Sequence, residues 1–139
     1  MMKRQSGHRG LGVSERTRVA IVGGGPAGCT LAGLLALRGV RSVVFDDDKR
    51  PELLVGESLL PTVVLVMRRL GIEGRAAEFS TYKPGVSFLH RRGMRLDFTF
   101  PKRMSGRLPN YAYNVPRPQF DDLLRERAGE LGAVFVRKR

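Results

Sequence analysis

The spacing of apolar positions changes several times along the chain, and each change marks an element. Arg18–Val22 is a short, β-branched apolar run and reads as a strand buried on both faces, as the interior of a parallel sheet requires. Leu/Ala-rich positions follow over Ala27–Arg38, the pattern of a helix, and Gly39 ends it. Ser42–Phe45 is a second apolar run of strand type. A helix is predicted from about Thr62 to Leu70 with Gly71 as its stop, then a short helix or loop from Gly74 to Ser80. From Lys83 the period becomes two. Val86 and Phe88, then Leu96, Phe98 and Phe100, alternate with polar residues around a turn at Arg91-Arg92-Gly93, which predicts a hairpin of half-buried antiparallel strands. Tyr111, Tyr113 and Val115 alternate as a short strand. Arg117-Pro118 opens a helix through Leu131 with Phe120, Leu123, Leu124 and Ala128 on one face; Gly132 ends it, and Ala133–Val136 is a third apolar strand.

Strands of parallel type alternating with helices predict an α/β, Rossmann-like sheet with an inserted antiparallel hairpin. Such a doubly wound domain has five or six parallel strands, and only three are legible. The expectation is a fold incomplete on its C-terminal side, which another chain completes or which is the front part of a longer protein. Met1 to Thr17 is polar, basic and without periodicity, and is expected to be a disordered tail before a single domain over residues 18–139.

Composition narrows the classes. A chain of 139 residues holds one domain, and 42% hydrophobic content is ordinary for a globular one. The net charge of +12, from 25 Lys+Arg against 13 Asp+Glu, suits anionic ligands or unspecific attraction to nucleic acid. The positive charges are dispersed, and no helix carries a base-reading or stacking pattern, which argues against specific nucleic-acid binding. With Cys29 the only cysteine, no intrachain disulfide can form, and a reducing cytoplasm fits. No apolar stretch of signal-peptide type follows the basic N-terminus. Val19–Leu37 is uncharged over nineteen positions, close to a membrane span, but three glycines and a proline in its middle argue against one continuous helix. His8 and His90 stand without spaced Cys or His neighbours, so metal chemistry has little support.

Chemistry concentrates at the joint of the first strand and helix. Gly23-Gly24-Gly25-Pro26-Ala27-Gly28 fills G-x-G-x-x-G, and Asp46 follows at the tip of the next strand, after seventeen intervening residues. This is the form in which a βαβ unit binds a dinucleotide. Gly23 permits the tight turn, Gly25 lets backbone approach a pyrophosphate, and Gly28 lets the helix lie close on the sheet. First-turn amides of a helix starting near Pro26 have no partner within the helix and favour an anion, and Pro26 costs little where its N–H is not needed. Asp46 would accept hydrogen bonds from ribose hydroxyls. Lys49 and Arg50, in the polar loop beyond, could meet a phosphate or simply be solvated.

Two further segments narrow the reading: Val55-Gly56-Glu57-Ser58-Leu59-Leu60-Pro61 and Val115-Pro116-Arg117-Pro118-Gln119-Phe120-Asp121-Asp122-Leu123-Leu124. With the opening fingerprint, in this order and spacing, the chain from about Arg18 to Val136 resembles the N-terminal part of FAD-dependent oxidoreductases of the aromatic-hydroxylase fold, and within them the flavin-dependent halogenases. The resemblance implies FAD as cofactor. Its pyrophosphate would lie on Gly23, Gly25, Pro26, Ala27 and Gly28, its adenosine ribose on Asp46, with Ser58 passing near the flavin and Arg117 helping to hold the cofactor. Ser58 also suits the cap of a helix starting at Leu59. In halogenases a lysine after the Gly-Glu-Ser type segment, just before an apolar strand, is catalytic. It captures or orients hypohalous acid made when a flavin hydroperoxide meets halide. Thr81-Tyr82-Lys83-Pro84 is similar to that place, so Lys83 is the candidate. The resemblance further implies an electron-rich aromatic substrate, halide, and a separate flavin reductase supplying reduced FAD. The Trp-x-Trp-x-Ile-Pro signature of halogenases is not in this chain, which has no Trp.

Four readings stay open at this point. They are a halogenase, a related FAD-dependent monooxygenase or isoprenoid reductase, a basic nucleic-acid-binding module, and an inactive truncated remnant.

Overall fold

The computed structural model describes residues 18–47, 49, 55–101 and 108–137. In chain order the elements are β1 (Val19–Val22), α1 (Pro26–Ala36), β2 (Ser42–Asp46), α2 (Pro61–Leu70), α3 (Glu73–Phe79), β3 (Thr81–Lys83), β4 (Gly85–Leu89), β5 (Arg95–Thr99), β6 (Ala112–Asn114), α4 (Arg117–Glu130) and β7 (Val134–Arg137). The first, second and last strands form a parallel sheet in the order β1-β2-β7, with Ile21 beside Val44 and Val44 beside Phe135. The antiparallel strands form two separate two-stranded sheets, β3-β6 and β4-β5. The α/β class with a Rossmann-like parallel sheet is as the sequence pattern predicts.

The helices start and stop where their chemistry requires. Pro26, Pro61 and Pro118 all sit at the first or second position of a helix, where a missing N–H is harmless. Gly71 ends α2 in the left-handed region at φ 73°, and its amide and the next close the last turn onto the Arg68 and Met67 carbonyls. On α4 the buried side chains are Phe120, Leu123, Leu124 and Ala128, one face at helical spacing. Phe120, Leu123 and Leu124 pack with Cys29 of α1, with Val64, Met67 and Leu70 of α2, and with Ile72, Ala76, Ala112 and Val115 in the larger of two apolar clusters. The smaller cluster, Ile21, Ala32, Val44, Ala128 and Ala133, joins α1 and α4 to one face of the parallel sheet.

Two expectations about burial are overturned. Strand β1 is covered on one face only: Ile21 is buried while Val22 is 90% exposed; on that outer face its partner Phe45 on β2 is 42% exposed, and Val134 on β7 is 48% exposed. Among the described residues α1 and α4 pack on the other face, against Ile21 and Val44. The β4–β5 hairpin has the predicted pairing, Val86 with Phe98 and Phe88 with Leu96, yet Phe88, Leu96 and Phe98 are all more than half exposed. Alternation places these residues on one face but cannot say what covers it. One strand is additional: β3, paired antiparallel to β6, is too short to show a period. The predicted tail over residues 1–17 lies outside the described residues, as do Arg50 and residues 102–107.

Candidate functional site

The glycine turn has the geometry that its sequence implies. Gly23 sits at φ +99°, closed to other residues without strain, and donates its N–H to Phe45 O (2.8 Å), which ties the turn to the tip of β2. A Cβ on Gly28 would lie 1.9 Å from Gly23 O and 3.3 Å from Ile21 Cγ2, so only glycine lets α1 come this close to β1. A Cβ on Gly25 would meet nothing within 4 Å. Its side of the turn is open space, available to a ligand rather than filled by protein. The first bond within α1 runs from the Cys29 N–H to Gly25 O (2.9 Å), which leaves the Ala27 and Gly28 amides without a helical acceptor. No acidic residue occupies that first turn. An uncompensated helix N-terminus behind an open glycine is an anion site in both charge and shape.

Asp46 stands at the end of β2, beside the turn. Its Oδ2 accepts from Arg125 Nη1 at 2.5 Å, and the Arg125 guanidinium lies over the Phe135 ring at 4.8 Å. Gly24, a filler position in the motif, packs against the acid: a Cβ on it would come to 2.5 Å from Asp46 Oδ2, so a larger residue there displaces the Asp46 carboxylate. Sequence reasoning missed both Arg125 and the role of Gly24. Lys49, the one described cation of the following loop, is exposed and bonds through its backbone N–H to Asp47 Oδ1 (3.1 Å).

Two clefts flank the turn. One, of about 340 Å³, is lined by Val22, Gly23, Phe45, Asp46 and Asp47 at the carboxyl ends of the strands. The other, of about 470 Å³, is mostly apolar and lies between α1, α2 and α4, with Pro26, Ala27, Gly56, Leu59, Phe120 and Arg117 among its walls. The structure thus brings Pro26 and Ala27 of the fingerprint and Arg117 to one cavity. Arg117 is held there by Asp121 (Nε to Oδ1, 3.0 Å) and by the Val55 carbonyl, close above Gly56. A ligand could span both clefts by passing over the α1 N-terminus.

Lys83 and Ser58 form a second cluster. Lys83 is 8% exposed, the one buried charged side chain among the described residues. Its Nζ donates to Ser58 Oγ (2.7 Å) and to Leu59 O (2.9 Å), and lies 5.6 Å from the centre of the Phe100 ring. Ser58 is not a helix cap: α2 starts at Pro61, its N-cap is Leu60, and no side chain caps it. The serine lies one strand-like stretch earlier, bridged to Asn114.

Behind β6 lies a polar knot. Tyr111 OH donates to Glu73 Oε1 (2.5 Å), while Arg68 donates to Glu73 Oε2 (2.7 Å) and to Tyr111 OH (2.7 Å). Burial raises the Glu73 carboxyl, but the hydrogen bonds from Tyr111 and Arg68 outweigh it and hold the group below its ordinary range. The same bond to Glu73, with burial, pushes the Tyr111 hydroxyl up. Tyr113 is raised mainly by burial.

With this geometry established, comparison with known proteins is decisive at the family level. The family described as FAD binding domain matches residues 16–139. The chain belongs to that family. The turn has the features such a cofactor needs: an open Gly25, a Cβ-excluding contact at Gly28 and first-turn amides without a helical acceptor. The flavin-dependent halogenase ascD of Acremonium egyptiacum is 34% identical over 125 residues, covering 87% of this chain and 22% of the relative. The myxobacterial chondrochloren halogenase CndH aligns with TM-score 0.73 and 30% identity over 86% of this chain and 28% of that one. The anhydrotetracycline hydroxylase OxyS from Streptomyces rimosus aligns with TM-score 0.67 and 29% identity, over 86% and 24%. The chain therefore spans about a quarter of the length of the relatives it matches. No helix among the described residues is long and apolar enough to cross a membrane.

Proposed function

We propose that this chain supplies the FAD-binding part and the catalytic lysine of a flavin-dependent halogenase acting on an electron-rich aromatic substrate. The observation that carries the reading is Lys83, a buried lysine fixed to the Gly-Glu-Ser segment inside an FAD-binding fold. The similarity to a halogenase in both sequence and structure supports it.

The chain's own residues divide the work. The Ala27 and Gly28 amides, with the α1 dipole, would hold the pyrophosphate, and Asp46 would accept from the adenosine ribose; Arg117 closes the cavity wall beside Gly56. FAD, when bound and reduced by a separate reductase, would supply the two electrons with which oxygen, halide and protons give hypohalous acid and water. Lys83 has three hydrogen donors, of which two serve Ser58 and Leu59 O. The remaining one holds the oxygen of hypohalous acid and draws electron density from the halogen; the ring's π electrons form the carbon–halogen bond as the oxygen–halogen bond breaks, and the released hydroxide leaves as water with the ring proton. Ser58 borders the cofactor through its segment.

The test is Lys83→Ala, assayed with a flavin reductase, oxygen, halide and a phenolic probe. Halogenation is expected to fall about 10²–10³-fold, the scale for loss of one preorganised donor, with FAD uptake unchanged. Product formation at the wild-type rate overturns the role of Lys83. Hydroxylation of the probe without halogen incorporation favours the second reading, an FAD-dependent monooxygenase, which the likeness to OxyS supports.

A further inference from the structure

Residues 57–59 run beside β6 as if they were a strand. Leu59 N–H donates to Tyr113 O (2.9 Å), Val115 N–H donates to Glu57 O (2.8 Å), and Ser58 pairs with Asn114 in an antiparallel bridge. On the other side of β6 lies β3, with Lys83 opposite Ala112 and Thr81 opposite Asn114. Directly opposed residues of antiparallel strands share a face. Lys83, Ala112, Thr81, Asn114 and Ser58 therefore all lie on one face of this small three-strand arrangement.

That geometry sets a demand. Neighbouring strands are about 4.8 Å apart, so the Lys83 side chain must cross the whole of β6 to put Nζ 2.7 Å from Ser58 Oγ. The residue opposite Lys83 on β6 is Ala112, fully buried and with only a methyl group in the way. At the far end two acceptors, Ser58 Oγ and Leu59 O, fix Nζ, and the Phe100 ring lies nearby. Of the two acceptors only Ser58 is a side chain, so only it is set by residue type. Ser58 accepts from Lys83 and still has its own O–H proton to give.

We propose that Ser58 and Ala112 are positioning residues for Lys83: the serine fixes the amine, and the alanine keeps its path across β6 open. This rests on the reading of Lys83 as the catalytic group, and it assigns Ser58 to the lysine first.

The test is competitive trace acetylation of the full chain with acetic anhydride, read by mass spectrometry, with exposed Lys49 as the internal reference. In the wild type Lys83 reacts more slowly than Lys49. Ser58→Ala is expected to raise the Lys83/Lys49 ratio about tenfold, the scale of one hydrogen bond from a charged donor, and Ser58→Thr, which keeps the hydroxyl, to restore it. Ala112→Val raises the ratio with Ser58 intact. A ratio unchanged in Ser58→Ala overturns the proposal, whatever Lys83→Ala does to halogenation. A ratio that rises in Ser58→Ala and returns in Ser58→Thr, beside a Lys83→Ala variant that halogenates normally, upholds the positioning and removes the catalytic reading alone.

Discussion

At the scale of single residues, the site depends on what is missing from side chains as much as on what they carry. Gly28 faces the backbone of Gly23, whose carbonyl oxygen would meet an added Cβ at 1.9 Å, with Ile21 Cγ2 at 3.3 Å as well; a main-chain carbonyl has no flexible end to yield. Gly28→Ala is expected to destabilise the fold by about 1–3 kcal/mol, the usual cost of overpacking, and a lowered denaturant midpoint checks it. The three motif glycines were legible in the sequence because their spacing is a local pattern. Gly24 and Arg125 were not. Arg125 reaches Asp46 from 79 residues away, and nothing near either residue marks the pairing. Asp46 therefore has a protein partner as well as a candidate ribose, which the motif alone did not show.

At the scale of elements, the antiparallel part is joined to the helices through ionisable groups. Glu73 at the start of α3 gathers Arg68 of α2, with Tyr111 and Tyr113 on the segment through β6. Its carboxyl is held below the ordinary range, so the folded state binds fewer protons than the unfolded one as pH drops. The stability it contributes is complete above the unfolded value of about 4.3 and is lost as pH falls from there through the folded value. Glu73→Gln is expected to be less stable than the wild type at neutral pH, with the difference shrinking below about pH 4; denaturant unfolding at several pH values measures it. A constant difference across that range rejects the linkage. The helices and their ends were readable, since a 3.6-residue period and glycine stops are local properties. β3 was not, because three residues, Thr81–Lys83, cannot display alternation. The pairing of β4 with β5 was readable, but the exposure of Phe88 and Phe98 was not, because burial belongs to whatever faces the hairpin.

At the scale of the whole molecule, the parallel sheet positions the site and fixes its polarity. Strands β1 and β2 point their carboxyl ends at the glycine turn, and the two clefts open there, one beside Asp46 and one beside Arg117. The sheet's inner face is sealed by α1 and α4, while Val22, Phe45 and Val134 stay open on the outer one. The sequence shows apolar residues on both faces, and that pattern predicted burial on both; only one has a layer among the described residues. The central claim is that the turn holds FAD, and the most direct measurement is titration of the purified chain with FAD, followed by flavin absorbance and fluorescence. Saturable binding is expected for the wild type. Gly25→Val, whose side chain enters space open to at least 4 Å, should keep its unfolding midpoint and bind about tenfold or more weakly, a loss of about 1.4 kcal/mol or more. Equal affinity in Gly25→Val and the wild type, or no flavin uptake by a folded wild-type chain, would contradict the account.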